Sequence, residues 1–391
     1  MKPKWTMDRR EFMRSATLVC ATAGLARLSV LEALPTVERS TQPLSFSQDE
    51  SDRSPHRDPL AIQNSTVVVD GLNASPITEA HLERLKAGGV NCVVQGAGGI
   101  EGFSDTYNFL DAHSDKIVPA TTAREIRQAR QQGKIAQVFD SQWADFLGIS
   151  HNQPLGSPRT ALRAYYQLGL RSIGLCYNVA NIYGGGCLYP NMGLTRAGRG
   201  LVEEIHKLRM VLDVGGHTGE RTSLDEIEIS LGVPVICTHT NVAALNDNPR
   251  CTSDRVIEAI AKSGGVIGLT ATNDFIARSR KDAHIPHTPQ VGLEKYLDQF
   301  DYIRKLVGVD HVGLGTDNIE GQANPWERIN RDVIPLEMLG EGQTLYVKGF
   351  ESIAELPNVT RGLIERGWST GEIRKVLGEN WLRVWEKVWG A

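Results

Sequence analysis

The sequence has little that would take it through a membrane or onto a nucleic acid. No apolar run in its 391 residues approaches the ~20 needed to span a bilayer. Its 42 Lys+Arg against 46 Asp+Glu leave a net charge of −4 with no basic stripe, which argues against a nucleic-acid partner. Cysteine is scarce, six in all, and Cys20 lies in the N-terminal leader. The remaining five are an odd number, so no disulfide framework is implied. Cys92, Cys176 and Cys237 fall inside predicted strands, where buried free thiols are expected, whereas Cys187 and Cys251 fall in loops, where pairing stays open. No internal repeat occurs, and no G-x-G-x-x-G follows the first predicted strand, which disfavours a dinucleotide fold. What is present, 41% hydrophobic and 23% charged residues, suffices for a large core.

The leader has its own signature. Asp8-Arg9-Arg10-Glu11-Phe12-Met13-Arg14 resembles the twin-arginine export motif, and Ser15 to Leu25 supplies a mildly apolar core. The plainer reading is a basic amphipathic tail. Residues 1–40 are accordingly expected to be a twin-arginine signal region, 41–62 a flexible tether and 63–391 the folded domain. The twin-arginine export machinery would then be a partner, and the destination periplasmic or extracellular.

From Ser65 onward short strands and helices alternate. Strands are predicted at Thr66–Asp70, Asn91–Gln95, Ile135–Phe139, Ser172–Cys176, Met210–Val214, Val235–Thr238, Gly265–Thr270 and His311–Gly315. Helical patterns lie between them, including Glu79–Ala87, Thr122–Gln131, Pro158–Leu168, Thr195–Leu208, Ser253–Lys262 and Leu293–Leu306. Asp332–Leu356 reads as irregular, followed by closing helices at Asn358–Arg366 and Ser369–Val388. Eight strands in βα alternation predict an α/β fold, a (β/α)8 TIM-type barrel.

The chemistry concentrates between Met210 and Asn241. Two β-branched-rich runs each end in a histidine, His217 and His239, separated by a helix-length connection. In a parallel barrel the strand ends converge on one mouth, so two such histidines are a plausible half of a metal site. Each could instead merely cap its strand. The other strand ends carry Asp70 with Asn73, Gln95, Gln142, Tyr177 with Asn178, Thr270 with Asn273, and Asp317. A polar mouth with two histidines and a final aspartate points to metal-assisted hydrolysis.

Several segments also resemble the membrane (renal) dipeptidase family. They are His239-Thr240-Asn241 with Asn248-Pro249-Arg250, Ser263 to Gly268, Gly308 to Asp317, and Gly378 to Val384. Tyr177-Asn178, Gly184–Cys187 and Gly193-Leu194-Thr195 resemble bacterial members in particular. The resemblance implies a barrel of the metal-dependent hydrolase kind, with two zinc ions, that cuts dipeptides and related amides. It implies metal ligation by His217 and His239, carboxylate binding by Arg250, proton handling by Asp317, and a substrate-carbonyl or oxyanion contact at Tyr177. Asn178, Gln142 and Asn73 are further candidate substrate contacts.

The departures from that family pattern are specific. Leu72-Asn73-Ala74 stands where a His-x-Asp pair is expected, and Gln142 where a bridging glutamate is expected. Two cations ~3.5–4 Å apart need anionic charge between them, so at most one zinc is expected, with Asp317 or water completing its shell. The pair Gly215-Gly216 adds a residue before His217 and is expected to form a bulge. Three readings stay open on sequence alone: a hydrolase of a small dipeptide or amide, a metal-free enzyme acting on an exported peptide-like metabolite, and a non-catalytic carboxylate-binding protein. His311 reads as structural, His284 and His287 as loop residues. Trp368, Trp381, Trp385 and Trp389 read as packing anchors, with a homodimer contact as a further role.

Overall fold

The structure, a computed structural model, describes residues 50–96, 99–148, 157–321, 330–341 and 345–390. The expected signal region, 1–40, lies outside these. Among the described residues nine strands form one parallel sheet: β1 (Val69–Asp70), β2 (Cys92–Gly96), β3 (Ile117–Pro119), β4 (Ile135–Ser141), β5 (Leu170–Gly174), β6 (Val211–Asp213), β7 (Ile236–Thr240), β8 (Val266–Leu269) and β9 (Val312–Leu314). The order is β1-β2-β4-β5-β6-β7-β8-β9, with β3 paired to β4 off this path. The first and last strands meet where Gly71 N donates to Leu314 O at 2.9 Å and Asp317 N to Leu72 O at 3.0 Å. Eight strands therefore form the expected (β/α)8 barrel, and β3 is an addition that periodicity did not signal.

Helix starts follow their caps. Thr122 caps the helix Ala123–Gln131 in a capping box with Glu125. Ser157 accepts from Thr160 N ahead of Pro158–Gln167, and Thr195 accepts from Gly198 N ahead of Arg196–Lys207. Each hydroxyl satisfies a backbone donor that the first helical turn leaves without a partner. The segment expected as a tether is structured in its last part. Pro59–Asn64 is a helix, and Arg57 donates to Trp368 O and to Thr370 Oγ1.

The barrel floor is built on an indole. Trp381, at the start of the C-terminal helix Asn380–Trp389, is fully buried and donates from Nε1 to Leu314 O at 3.1 Å. Glycines on three strands make its seat. An added Cβ would come within 2.2 Å of its ring at Gly71, 2.6 Å at Gly313 and 3.1 Å at Gly268. Val69, Val94, Val138 and Val266 complete this cluster, while a second, larger core fills the space between the strands and the outer helices. With the floor plugged, the open end of the barrel is the end where the strand carboxyl termini converge.

Candidate active site

His217 follows β6, and His239 lies in β7. Their Nε2 atoms face each other at 3.1 Å. The hydrogen-bond network assigns their tautomers. Thr238 Oγ1 donates to Asp213 Oδ2 at 2.6 Å, which leaves that hydroxyl an acceptor for the Nδ1–H of His239 at 2.9 Å. Asn178 Oδ1 lies 2.7 Å from Nδ1 of His217 and accepts its proton. Burial, with the Arg250 charge second, holds both imidazoles well below their usual pKa, so they are neutral. Both Nε2 atoms then carry lone pairs, and the two lone pairs point at one another. Gln142 Oε1 stands 2.8 Å from Nε2 of His217 and adds a third lone-pair donor.

The remaining expected residues divide. Tyr177 stacks on the ring of His217, with centroids 3.9 Å apart, and meets Trp143 edge-on. Burial, with Asp317 second, pushes its hydroxyl up to about 12, so it remains an O–H donor. Asp317 has φ 56°, and Asn178 φ 62°, both in the left-handed region. Such backbone is costly for a non-glycine residue, and it recurs at Arg209 and Leu231 outside the mouth. Burial raises the Asp317 carboxyl to about 7, with Arg250 opposing the shift. Asn73 lines one cavity with Gln142. Its amide donates to Asp70 Oδ2 at 3.0 Å, and its carbonyl accepts from Ser75 N at 3.0 Å.

Arg250 is 1% exposed. One guanidinium nitrogen donates to His239 O at 3.2 Å, while Nε and Nη1 have no partner. A buried cation whose Nε and Nη1 donors have no partner is poised to take an anion such as a carboxylate. Gly215 and Gly216, expected to form a bulge, lie instead in a turn past the end of β6, and this turn makes the room. Both glycines have positive φ, 76° and 56°, and a Cβ at Gly216 would lie 2.3 Å from Arg250 Nη1. The backbone of Gly216 thus floors the guanidinium pocket.

The family's paired metals do not fit this mouth. Leu72 and Ala74 offer no ligand atom, and Gln142 is a neutral amide. Among the described residues no group of three or more His, Cys, Asp or Glu is placed to hold a metal ion, so Asp317 is not brought into one set with the two histidines. One ion fits better. Zinc–imidazole bonds of ~2.0–2.1 Å in a tetrahedron put neighbouring ligand atoms ~3.3–3.4 Å apart, close to the 3.1 Å seen here. The residues that sequence reasoning passed over are Asp213 and Thr238, which fix the tautomer of His239. Their link spans 25 residues and carries no local motif. The five cysteines described are free, Cys187 and Cys251 included. His311 binds Gly265 O through Nδ1 just before β9, as a structural residue would.

The chain is similar to known proteins over most of its length. The model for the membrane dipeptidase family (peptidase family M19) matches residues 98–332 and 331–390. The match begins beyond β2, so the divergent Leu72-Asn73-Ala74 lies outside it. A Klebsiella pneumoniae protein from the pqqA 5' region is 34% identical over 290 residues, 72% of this chain and 92% of that one. The dipeptidase tcpJ of Claviceps purpurea is 25% identical over 71% of this chain and 57% of its own length. An amidohydrolase from Pseudomonas aeruginosa superposes with a TM-score of 0.74 at 26% identity, covering 86% of this chain and all of that one. With the barrel, the polar mouth and these likenesses together, the chain belongs to the membrane dipeptidase family and is a dipeptidase-like hydrolase.

Proposed function

We propose that this enzyme cleaves the amide bond of a small dipeptide-like substrate with at most one divalent ion, zinc, held by His217 and His239. The observation that carries this reading is the approach of the two imidazole Nε2 atoms to 3.1 Å, where the tautomers assigned from their Nδ1 partners leave a lone pair on each. Two lone pairs at that distance repel in a dry site, and a cation between them turns the repulsion into ligation. The Asp213–Thr238–His239 chain and the Asn178–His217 bond hold both rings in the ligating tautomer.

When bound, such an ion acts as a Lewis acid and lowers the pKa of a coordinated water towards ~7. The protein groups do the rest. Arg250 takes the substrate carboxylate on its two free donors and fixes the position of the scissile amide. The Tyr177 hydroxyl, protonated at all physiological pH, donates to the carbonyl oxygen as charge develops there. Asp317, with a carboxyl near 7, accepts the proton of the attacking water and returns it to the leaving amine as the C–N bond breaks.

The test is elemental analysis of protein prepared without a histidine tag. One zinc per chain is expected after loading, and none in the double variant His217→Ala/His239→Ala. Two ions per chain, or none even after zinc loading, would remove the single-ion reading. A panel of dipeptides assayed on the zinc-loaded chain should then show hydrolysis that the double variant lacks.

A further inference from the structure

A cavity of about 370 Å3 adjoins the histidine pair on the side where the missing ligands would stand. It runs from Gln142, whose carbonyl touches His217, down between the outer faces of β2 and β4 and the helix Ile100–Ala112. The strand alternation accounts for its polarity. Val94, Ala136 and Val138 face the Trp381 cluster, so Gln95 and Gln137 face the helix layer, where Val93 and Phe139 meet Phe103 and Leu110. A glutamine in that layer is out of place on packing grounds. Gln137 is 2% exposed, and its Oε1 has no hydrogen-bond partner. A buried acceptor left unpaired costs free energy comparable to a lost hydrogen bond, which a ligand donor would restore.

The rest of the lining has one electrostatic sense. Asp105 and Phe109 stand one turn apart on the helix, and both line the cavity. Trp143 supplies a second aromatic wall. Among the described residues, no arginine, lysine or histidine lines it. A carboxylate, an unpaired carbonyl and two aromatic rings, with no positive charge, form a setting for a cation rather than an anion.

We propose that this cavity is a specificity pocket for the basic end of the substrate, a guanidinium or ammonium group lying between Asp105, Gln137, Phe109 and Trp143. It rests on the reading that Arg250 holds the carboxylate of a dipeptide-like molecule. Charge complementarity then runs along the mouth, with the positive Arg250 at one end and the negative Asp105 at the other.

Equilibrium binding by calorimetry tests it on the full-length protein treated with chelator, so that no turnover intrudes. The probes are Arg-Ala and citrullyl-alanine, which match in shape and differ in the charge of the side chain. Arg-Ala is expected to bind at least tenfold more tightly. Asp105→Asn should reduce that preference severalfold, and Gln137→Leu should weaken the binding of both probes severalfold. Equal affinities for the two probes would overturn the pocket and leave the Arg250 reading intact, provided Arg250→Lys weakens both. Absence of binding by either probe at millimolar concentration would overturn both readings.

Discussion

Arg250 offers a perturbation whose effects on stability and on function should carry opposite signs. In the free protein its guanidinium is buried with two unpaired donors, and its single hydrogen bond goes to His239 O. Arg250→Met keeps the length of the side chain and removes the charge. The gain is relief of two unsatisfied donors at ~1–3 kcal/mol each. The losses are one charge-assisted bond to a carbonyl, ~1.5–3 kcal/mol, and a cation–π contact with Phe275 whose centroid lies 5.5 Å away, ~0.5–1 kcal/mol. The balance favours the methionine variant by about 1–2 kcal/mol, as is common where a binding residue is held ready at the expense of the fold. Urea unfolding followed by circular dichroism should move to a higher midpoint with an unchanged slope. Affinity for a carboxylate-bearing dipeptide should fall about a hundredfold or more, since truncating a buried charge pair costs ~2–5 kcal/mol. A methionine variant less stable than the parent, or one that binds the dipeptide equally well, would refute the argument that Arg250 waits for an anion.

Gly216→Ala should weaken the same site by a different route. Its Cβ would press to 2.3 Å from Arg250 Nη1 at a φ of 56°; a stability loss of ~1–2 kcal/mol and a tenfold or greater loss of dipeptide affinity are expected, read by urea unfolding and calorimetry. His81 governs part of the acid limb of stability. It is fully buried, neither ring nitrogen has a partner, and burial lowers its pKa to about 4. The folded state therefore resists a proton that the unfolded chain accepts at ~6.5, so this contribution is full above ~6.5 and is lost as pH falls towards 4. A shift of that size corresponds to about 3 kcal/mol. His81→Leu should flatten the stability–pH curve between these values relative to the parent, and parallel curves would contradict this.

Much of the barrel was legible because its strands are apolar runs bounded by turn residues. Its helices carry side-chain caps where the chain has Thr122, Ser157 and Thr195. What escaped lacked such signals. The helix Ile100–Ala112 begins at Gly99 with no capping side chain, and β3 has only three residues. The first strand was expected from Thr66 but spans Val69–Asp70, because at Val68 the partner is the Asn91 side chain, which accepts from its N–H at 3.0 Å. The site divided in the same way. Local sequence placed His217, His239 and Asp317 at the mouth, and the resemblance to the dipeptidase family added Arg250. The tautomers depend on Asp213 and Thr238, and the confinement of Arg250 on Gly216, both long-range relations without a motif. Asn73, expected as a substrate contact, lines the cavity beside Gln142 with its amide held by Asp70 and Ser75.

The substitutions at the mouth make sense as one electrostatic change rather than three separate losses. A two-ion centre brings +4 into a site where water is largely excluded, and the imidazoles that face it here are neutral. Of the carboxylates that would balance such a charge, the first-strand one is replaced by Ala74 and the bridge by Gln142. Asp317 remains, and it already faces the Arg250 charge. A second ion would therefore sit beside an arginine with no anion to offset it. On the proposed reading, a single ion with Arg250 committed to a substrate carboxylate leaves a balance that the existing groups can hold. On the same reading, the side of the mouth without metal ligands adjoins the cavity lined by Gln137 and Asp105, where a cationic part of the substrate would supply the positive charge that a second ion would otherwise bring.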